Sequence, residues 1–118
     1  MTKRDLLDFL EDILEAIDEI FSFIRGVSFE EFANNREKVL AVVKLLEIIG
    51  EATKKIPSEL RAKYPDIPWS AVAGMRDILV HEYWQVDVEV VWETVIDSLP
   101  LLARVISEMI QDNRVEGR

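Results

Sequence analysis

The residues best suited to acid–base and phosphate chemistry lie between Gly74 and Tyr83, a stretch that contains the only histidine of the chain. Asp77 and His81 are four residues apart, which makes them neighbours on one face of a helix. A carboxylate in that position can orient an imidazole and favour its protonated form. The imidazole titrates near neutral pH and can shuttle protons, while the guanidinium of Arg76 can bind a phosphate and stabilise the charge that develops on it.

Together, these groups could cleave RNA without a metal ion, with the ribose 2′-OH as the nucleophile. Helix geometry sets a condition, because at ~100° per residue Arg76 is ~140° around the helix from His81. The two side chains meet at one phosphate only if the helix relaxes near His81 or if a second subunit supplies the partner group. The spacing alone favours a simpler interpretation, in which Asp77 and His81 form a structural hydrogen bond and Arg76 forms a surface ion pair.

Other polar clusters favour ordinary structural roles. The first helix has a row of acidic residues without a Glu-x-x-His pair of the kind used in carboxylate di-metal bundles, so a solvated face is expected. These residues are Asp8, Glu11, Asp12 and Glu15. Glu47 and Glu51 are interpreted as exposed charges beside a packing glycine. Trp69 and Trp92 are expected to be core anchors rather than stacking platforms for bases.

Composition bounds the remaining possibilities. The chain has 118 residues, 49% of them hydrophobic and 31% charged, which fits one globular domain and excludes intrinsic disorder. Cysteine is absent and there is one histidine, so we expect neither disulfides nor a metal site. The net charge of −9 opposes polyanions on average, so an RNA site would need locally concentrated positive charge. No apolar run is long enough to span a membrane and the first residues lack a signal-peptide pattern, which predicts a cytoplasmic protein.

Helical periodicity accounts for most of the chain. We predict a first helix over about residues 4–25, capped by Thr2 or Asp5 and ended by Gly26. A capping box, Ser28 to Glu31, begins a second long helix that Pro57 ends. Residues 57–64 should hold a short helical turn. Residues 65–69 form a rigid connector, from which Pro68, in an early helical position, starts the helix that continues to residue 81.

The last helix competes with a strand, because residues 86–90 alternate with period two. We favour the helix, since Asp87 can cap it and the apolar residues over 88–110 keep helical spacing. Pro100 should bend this helix. The polar tail, residues 111–118, is expected to fray. With no repeat or linker visible, residues 1–118 are predicted to form a single domain, an antiparallel helical bundle.

The ordered motifs of the chain resemble those of HepT-like toxins, a branch of the HEPN superfamily. The pattern Arg76-x4-His81-x-Tyr83 is the core of the likeness, and further segments follow the order typical of the family. These are residues 46–52 (LEIIGEA), 67–69 (IPW), 74–76 (GMR), 81–83 (HEY) and Trp92. The resemblance covers most of the chain.

The resemblance implies an all-α, antiparallel four- to five-helix bundle of HEPN type that forms a homodimer. Two Arg-x4-His motifs would face each other across the interface and form a composite endoribonuclease site. The implied activity is metal-independent RNA cleavage by a toxin of a type VII-like toxin–antitoxin system, with no cofactor. Carried over, Arg76 and His81 are catalytic and Asp77 occupies the supporting position. Asparagine is common at that position in the family, and Asp77 would draw His81 toward its protonated form.

The family also implies a partner, an antitoxin with a minimal nucleotidyltransferase fold that transfers AMP from ATP to the tyrosine of the motif, here Tyr83. A dimer would bring two Arg76 side chains together, with Lys54, Lys55 and Arg61 as candidate substrate-binding residues. The alternative interpretation is a non-catalytic HEPN binding module that docks a nucleotidyltransferase partner or captures a nucleotide.

Overall fold

The computed structural model describes the backbone of residues 1–81 and 87–116, and the side chains of residues 1–75 and 87–114. Within these ranges the chain forms helices and no strand. The helices are α1 (Lys3–Ile24), α2 (Phe29–Ala33), α3 (Arg36–Lys54), α4 (Ser58–Arg61), α5 (Trp69–His81), α6 (Val88–Glu93) and α7 (Leu99–Glu116), with a π-helical turn (Thr94–Ser98) between α6 and α7.

The first helix is defined by its cap and its two faces. The backbone N–H of Asp5 donates to the Thr2 hydroxyl, and the Thr2 N–H donates back to the Asp5 carboxylate. These bonds hold the pKa of Asp5 below its ordinary value of 3.8. The bond with the Thr2 backbone has the larger effect, and the bond with the Thr2 side chain has the next largest. The acidic residues of α1 are exposed, as predicted. Gly26, with φ of +72°, ends the helix in the left-handed conformation that glycine adopts without strain.

The predicted second long helix is divided in two, which corrects the sequence-based expectation. The capping box of Ser28 and Glu31 is present but begins only the short α2. The side-chain amide of Asn34 donates to the Glu30 carbonyl, and the side-chain oxygen of Asn35 accepts the N–H of Lys38 at 3.0 Å. Asparagine side chains compete with the helical backbone for hydrogen bonds. The pair of asparagines therefore ends α2 and begins α3.

Helix α3 is the centre of the bundle, because it packs against both α1 and α5, while α1 also packs against α7. Its buried side chains include Val42, Leu46 and Ile49, which have no exposed surface. The buried hydroxyl of Thr53 donates to the Ile49 carbonyl at 2.7 Å, so burial leaves it satisfied. This all-helical arrangement confirms the predicted fold class.

The C-terminal helices begin as predicted and continue with a different local geometry. The Asp87 side chain accepts the N–H groups of Glu89 and Val90, which confirms the predicted cap and the choice of helix over strand. A π-helical turn over Thr94–Ser98 precedes Pro100, the residue at which the sequence predicts a bend. Proline has no N–H to donate four residues back, and the N–H of Leu99 instead bonds to the carbonyl of Thr94, five residues back.

Residues 111–116, which belong to the segment that the sequence predicts to fray, are the last residues of α7. The Tyr64 hydroxyl donates to the Asp112 carboxylate at 2.6 Å, and Arg114 forms an ion pair with Glu11. Asn113 is buried and donates to the Met109 carbonyl. The polar composition of this segment therefore reflects contacts with distant parts of the chain. No helix in the described ranges is long and apolar enough to cross a membrane.

The bond between Tyr64 and Asp112 should contribute measurably to stability. Tyr64→Phe removes only the hydroxyl, and we expect the free energy of unfolding to fall by about 1 kcal/mol in urea titrations. A double-mutant cycle with Asp112→Ala isolates the pair, because the second substitution should cost little once the first is made. Fully additive effects of the two substitutions would contradict the assignment.

Candidate functional site

Helix α5 contains three of the residues that the sequence singles out. Its backbone is helical from Trp69 to His81, so Asp77 and His81 occupy the same face, four residues apart, as predicted. At ~1.5 Å per residue, the backbone of Arg76 lies ~10 Å and that of His81 ~18 Å along the axis from Trp69. The side chains of these three residues lie outside the described part of the chain, as does the whole of Tyr83.

The regular backbone of α5 distinguishes between the two ways in which Arg76 and His81 could share one phosphate. A relaxed helix near His81 would reduce the angle between them. The backbone is α-helical through His81, so the ~140° separation of an ideal helix is retained. Within one chain, the two residues therefore lie on different sides of α5.

The start of α5 is held by an anchor of buried side chains. Trp69 is buried, and its indole N–H donates to the Tyr64 carbonyl at 2.9 Å. Ile67 is buried beside it, and Pro68 directly precedes the first helical residue rather than occupying it. The carbonyl of Pro68 accepts the N–H of Val72, which makes it the cap of the helix. This anchor fixes where α5 begins against the bundle.

Trp92 is also part of the core. Trp92 is half-buried and packs against Phe29 and Phe32, with ring centroids 5.8 and 5.3 Å away. Such offset and edge contacts are typical of aromatic clusters in protein interiors. Trp69 and Trp92 therefore act as core anchors, as the sequence predicts.

The three candidate RNA-binding cations lie at the ends of α3 and α4, which precede α5 in the chain. Lys54 and Lys55 are exposed at the end of α3, and the ammonium of Lys54 is 3.9 Å from the Glu51 carboxylate. Arg61 is half-buried at the end of α4, and its Nε is buried with no hydrogen bond to the described part of the chain.

A groove between α1 and α3 contains the two glutamates that were considered as a carboxylate pair. It has a volume of about 450 Å³ and combines charges of both signs over an apolar floor that includes Ile48. Lys44 lies 3.6 Å from Glu47, and Lys55 lines the same groove as Glu51. The two carboxylates are thus balanced by neighbouring ammonium groups. No cluster of three potential metal-ligating side chains occurs in the residues that were described.

A second cleft, which sequence reasoning missed, lies between α5 and the π-helical turn. Its volume is about 320 Å³. On the α5 side it is lined by Pro68, Ala71, Val72 and Met75, and on the opposite side by residues of the turn, including Asp97 and Ser98. The sequence signal for it was Pro100, which forces the turn, but nothing in the sequence indicates that the turn faces α5.

The sequence model of the family described as "Ribonuclease HepT-like" matches residues 13–109. The chain belongs to the HepT-like ribonuclease family. This membership confirms the resemblance noted from the motifs and the enzyme class that it implied. The region that matches the HepT-like model includes all of α5 and the π-helical turn.

Relatives of this HepT-like chain carry ribonuclease names. "Putative RNase MJ1216" of Methanocaldococcus jannaschii is 48% identical over 118 residues, 100% of this chain and 96% of that protein. "Probable ribonuclease HepT" of Thermococcus cleftensis is 48% identical over 100 residues, 85% of this chain and 91% of its own length. "Putative RNase TTE0752" of Caldanaerobacter subterraneus is 40% identical over 106 residues, 90% of this chain and 95% of that protein. No solved structure matches the chain.

Proposed function

We propose that this chain is a metal-independent endoribonuclease toxin of a type VII-like toxin–antitoxin system. The observation that carries the proposal is the position of Arg76-x4-His81 on one regular helix, α5, within the region that matches the HepT-like family. Ribonuclease names among relatives that cover nearly the whole chain support an RNA substrate. The proposed location is the cytoplasm, where such a substrate is available.

The proposed reaction is an internal transesterification. A base removes the proton of the ribose 2′-OH, the 2′ oxygen bonds to the adjacent phosphorus, and the bond from phosphorus to the 5′ oxygen breaks. The leaving 5′ oxygen takes a proton, so the products are a 2′,3′-cyclic phosphate and a 5′-OH. The imidazole of His81 suits either proton transfer near neutral pH. The guanidinium of Arg76 stabilises the charge that develops on the phosphoryl oxygens. Asp77 orients the imidazole.

The active form is proposed to be a homodimer with the site between the two copies. One α-helix places Arg76 and His81 on different sides, so a second copy of α5 is the simplest source of the missing group. Pairing two copies also brings two guanidinium groups together. This concentrates positive charge locally, which a chain with a net charge of −9 needs in order to attract RNA.

Lys54, Lys55 and Arg61 are proposed to contact RNA away from the cleaved phosphate. They lie at the ends of α3 and α4, on different helices from the two motif residues. Their charges would suit phosphates of neighbouring nucleotides. Contacts of this kind position a nucleic acid without reading its sequence.

Regulation is proposed to act through Tyr83, which follows His81 by two residues. A cognate minimal nucleotidyltransferase antitoxin would transfer AMP from ATP to the Tyr83 hydroxyl, with pyrophosphate as the leaving group. The attached AMP would place bulk and negative charge beside the site. It would thereby repel and occlude an RNA phosphate.

Loss of either motif residue should abolish cleavage. With EDTA present, we expect Arg76→Ala and His81→Ala each to lower the rate of RNA cleavage at least about 100-fold. Wild type should leave 2′,3′-cyclic phosphate ends. Arg104→Ala is the matched control, because Arg104 is exposed on α7, where its guanidinium is 3.9 Å from the Glu108 carboxylate. Unchanged cleavage in either motif variant, with the helical circular dichroism retained, would contradict the assignment.

A wild-type chain that binds a nucleotidyltransferase but cleaves no RNA would favour the non-catalytic binding module.

The regulatory proposal has a separate readout. Co-expression with the cognate nucleotidyltransferase, in the presence of ATP, should add the mass of one AMP group to the intact chain and suppress RNA cleavage. Tyr83→Phe should remove the adduct, whereas Tyr64→Phe should keep it, because Tyr64 bonds to Asp112 away from the motif. An adduct that persists in Tyr83→Phe, or its absence from wild type, would refute the modification and leave the nuclease proposal standing.

A further inference from the structure

The cleft between α5 and the π-helical turn has walls of two kinds. The α5 wall is apolar and includes the ring of Pro68 and the side chains of Val72 and Met75. The opposite wall combines the polar groups of Asp97 and Ser98 with apolar side chains of α6 and α7, namely Val90, Leu99, Leu101 and Leu102. An apolar slot with a few polar groups at one side is the usual design of a site for a small planar ligand.

The polar groups of the turn are free to bind a ligand. Asp97 and Ser98 are exposed, and in the described part of the chain neither side chain has a hydrogen bond or an ion pair. The hydroxyl of Thr94, by contrast, donates to the Val90 carbonyl at 2.8 Å. The carboxylate of Asp97 can therefore accept hydrogen bonds from a ligand in the cleft, and it cannot donate any.

We propose that this cleft receives an unpaired guanine base of the RNA and that Asp97 recognises it. The inference rests on the proposed ribonuclease function and adds a determinant of base preference. Bases of single-stranded RNA can turn out of the stack, place their flat faces against side chains and expose their Watson–Crick edges. The volume of about 320 Å³ accommodates one such base but not a folded RNA element.

Guanine fits the charge of Asp97 better than the other three bases. Its Watson–Crick edge presents two adjacent donors, the N1–H and the exocyclic amino group, to the two oxygens of a carboxylate. Adenine and cytosine each place a ring-nitrogen acceptor beside their amino group, and uracil flanks its single N–H with two carbonyls. Each of these directs at least one acceptor at the carboxylate, which is repulsive. A site built to accept two hydrogen bonds discriminates strongly against a ligand that lacks one.

The position of the cleft suits a base close to the cleaved phosphate. Met75 lines the cleft and directly precedes Arg76 in α5. Val72, also in the cleft, lies four residues before Arg76, so the two backbone positions share one side of the helix. A nucleotide whose phosphate is bound by the guanidinium of Arg76 could thus place its base, or that of a neighbour, in the cleft.

Binding of RNA that cannot be cleaved tests the inference independently of activity. The full chain is titrated into fluorescent 2′-O-methyl pentanucleotides U-U-N-U-U, in which N is guanine, inosine, adenine, cytosine or uracil, and anisotropy is recorded. We expect guanine to bind best and inosine, which lacks the exocyclic amino group, to bind about tenfold more weakly. Asp97→Asn should bring the affinity for guanine down to that for adenine.

Two further variants separate recognition from general effects. Glu93→Gln makes the same charge change one turn earlier on an exposed residue that does not line the cleft, and it should keep the guanine preference. Ala71→Leu partly fills the cleft and should weaken guanine RNA most. No guanine preference in wild type, a preference that survives Asp97→Asn, or an equal loss in Glu93→Gln would each overturn the inference.

The same titrations distinguish this inference from the ribonuclease proposal. A wild-type chain that cleaves unmodified RNA but shows no guanine preference would overturn the base site alone. Guanine-selective binding without any cleavage would support the base site and overturn the ribonuclease assignment. If the cleft instead packs against a second copy, Ala71→Leu would reduce the mass measured by light scattering with no change in base preference, which also refutes the inference.

Discussion

The geometry of one unbroken helix constrains everything proposed for this protein. An α-helix turns by ~100° per residue, so groups five positions apart are held on different sides of it. Trp69 fixes the start of α5 through its burial and its hydrogen bond to the Tyr64 carbonyl, and packing on α3 keeps the helix regular through His81. For Arg76 and His81 to act at one phosphate, as proposed, a second copy would have to supply one of the two groups.

Assembly also addresses the charge of the molecule. The exposed acidic face of α1 contributes to a net charge of −9, and such a body repels RNA over long distances. The proposed site between two copies would concentrate guanidinium groups, since each copy would contribute one Arg76. Such a site would also be sensitive to added negative charge, so a nucleotide on Tyr83 would inhibit it.

Local signals in the sequence predicted much of the fold. The capping residues Thr2, Ser28 and Asp87 perform the roles that their types and positions indicate, and the apolar stripes identify the buried faces. The break at Asn35 was missed because Phe32 and Val39 are seven residues apart, a spacing that one continuous helix also allows, so the polar residues 34–38 were included in a single helix. The contacts of Asp112 and Arg114 were missed because their partners, Tyr64 and Glu11, are distant in the chain.

The site divides in the same way between local and distant information. The spacing of Asp77 and His81 and the family motif are local, so the sequence could indicate the chemistry. The cleft at Asp97 arises where the π-helical turn faces α5, and that juxtaposition is a tertiary property. Pro100 predicted a disturbance of the helix but not that the carboxylate of Asp97 would line a cleft.

The most direct test of the account is a mixed dimer of the two inactive variants. Arg76→Ala and His81→Ala chains are co-expressed with different affinity tags, and the dimer that carries both tags is purified and assayed for RNA cleavage. If the site combines groups from two copies, this dimer contains one intact Arg76 opposite one intact His81, and it should regain a substantial part of the wild-type rate. A mixed dimer as inactive as its parents, beside an active wild type, would contradict the shared site.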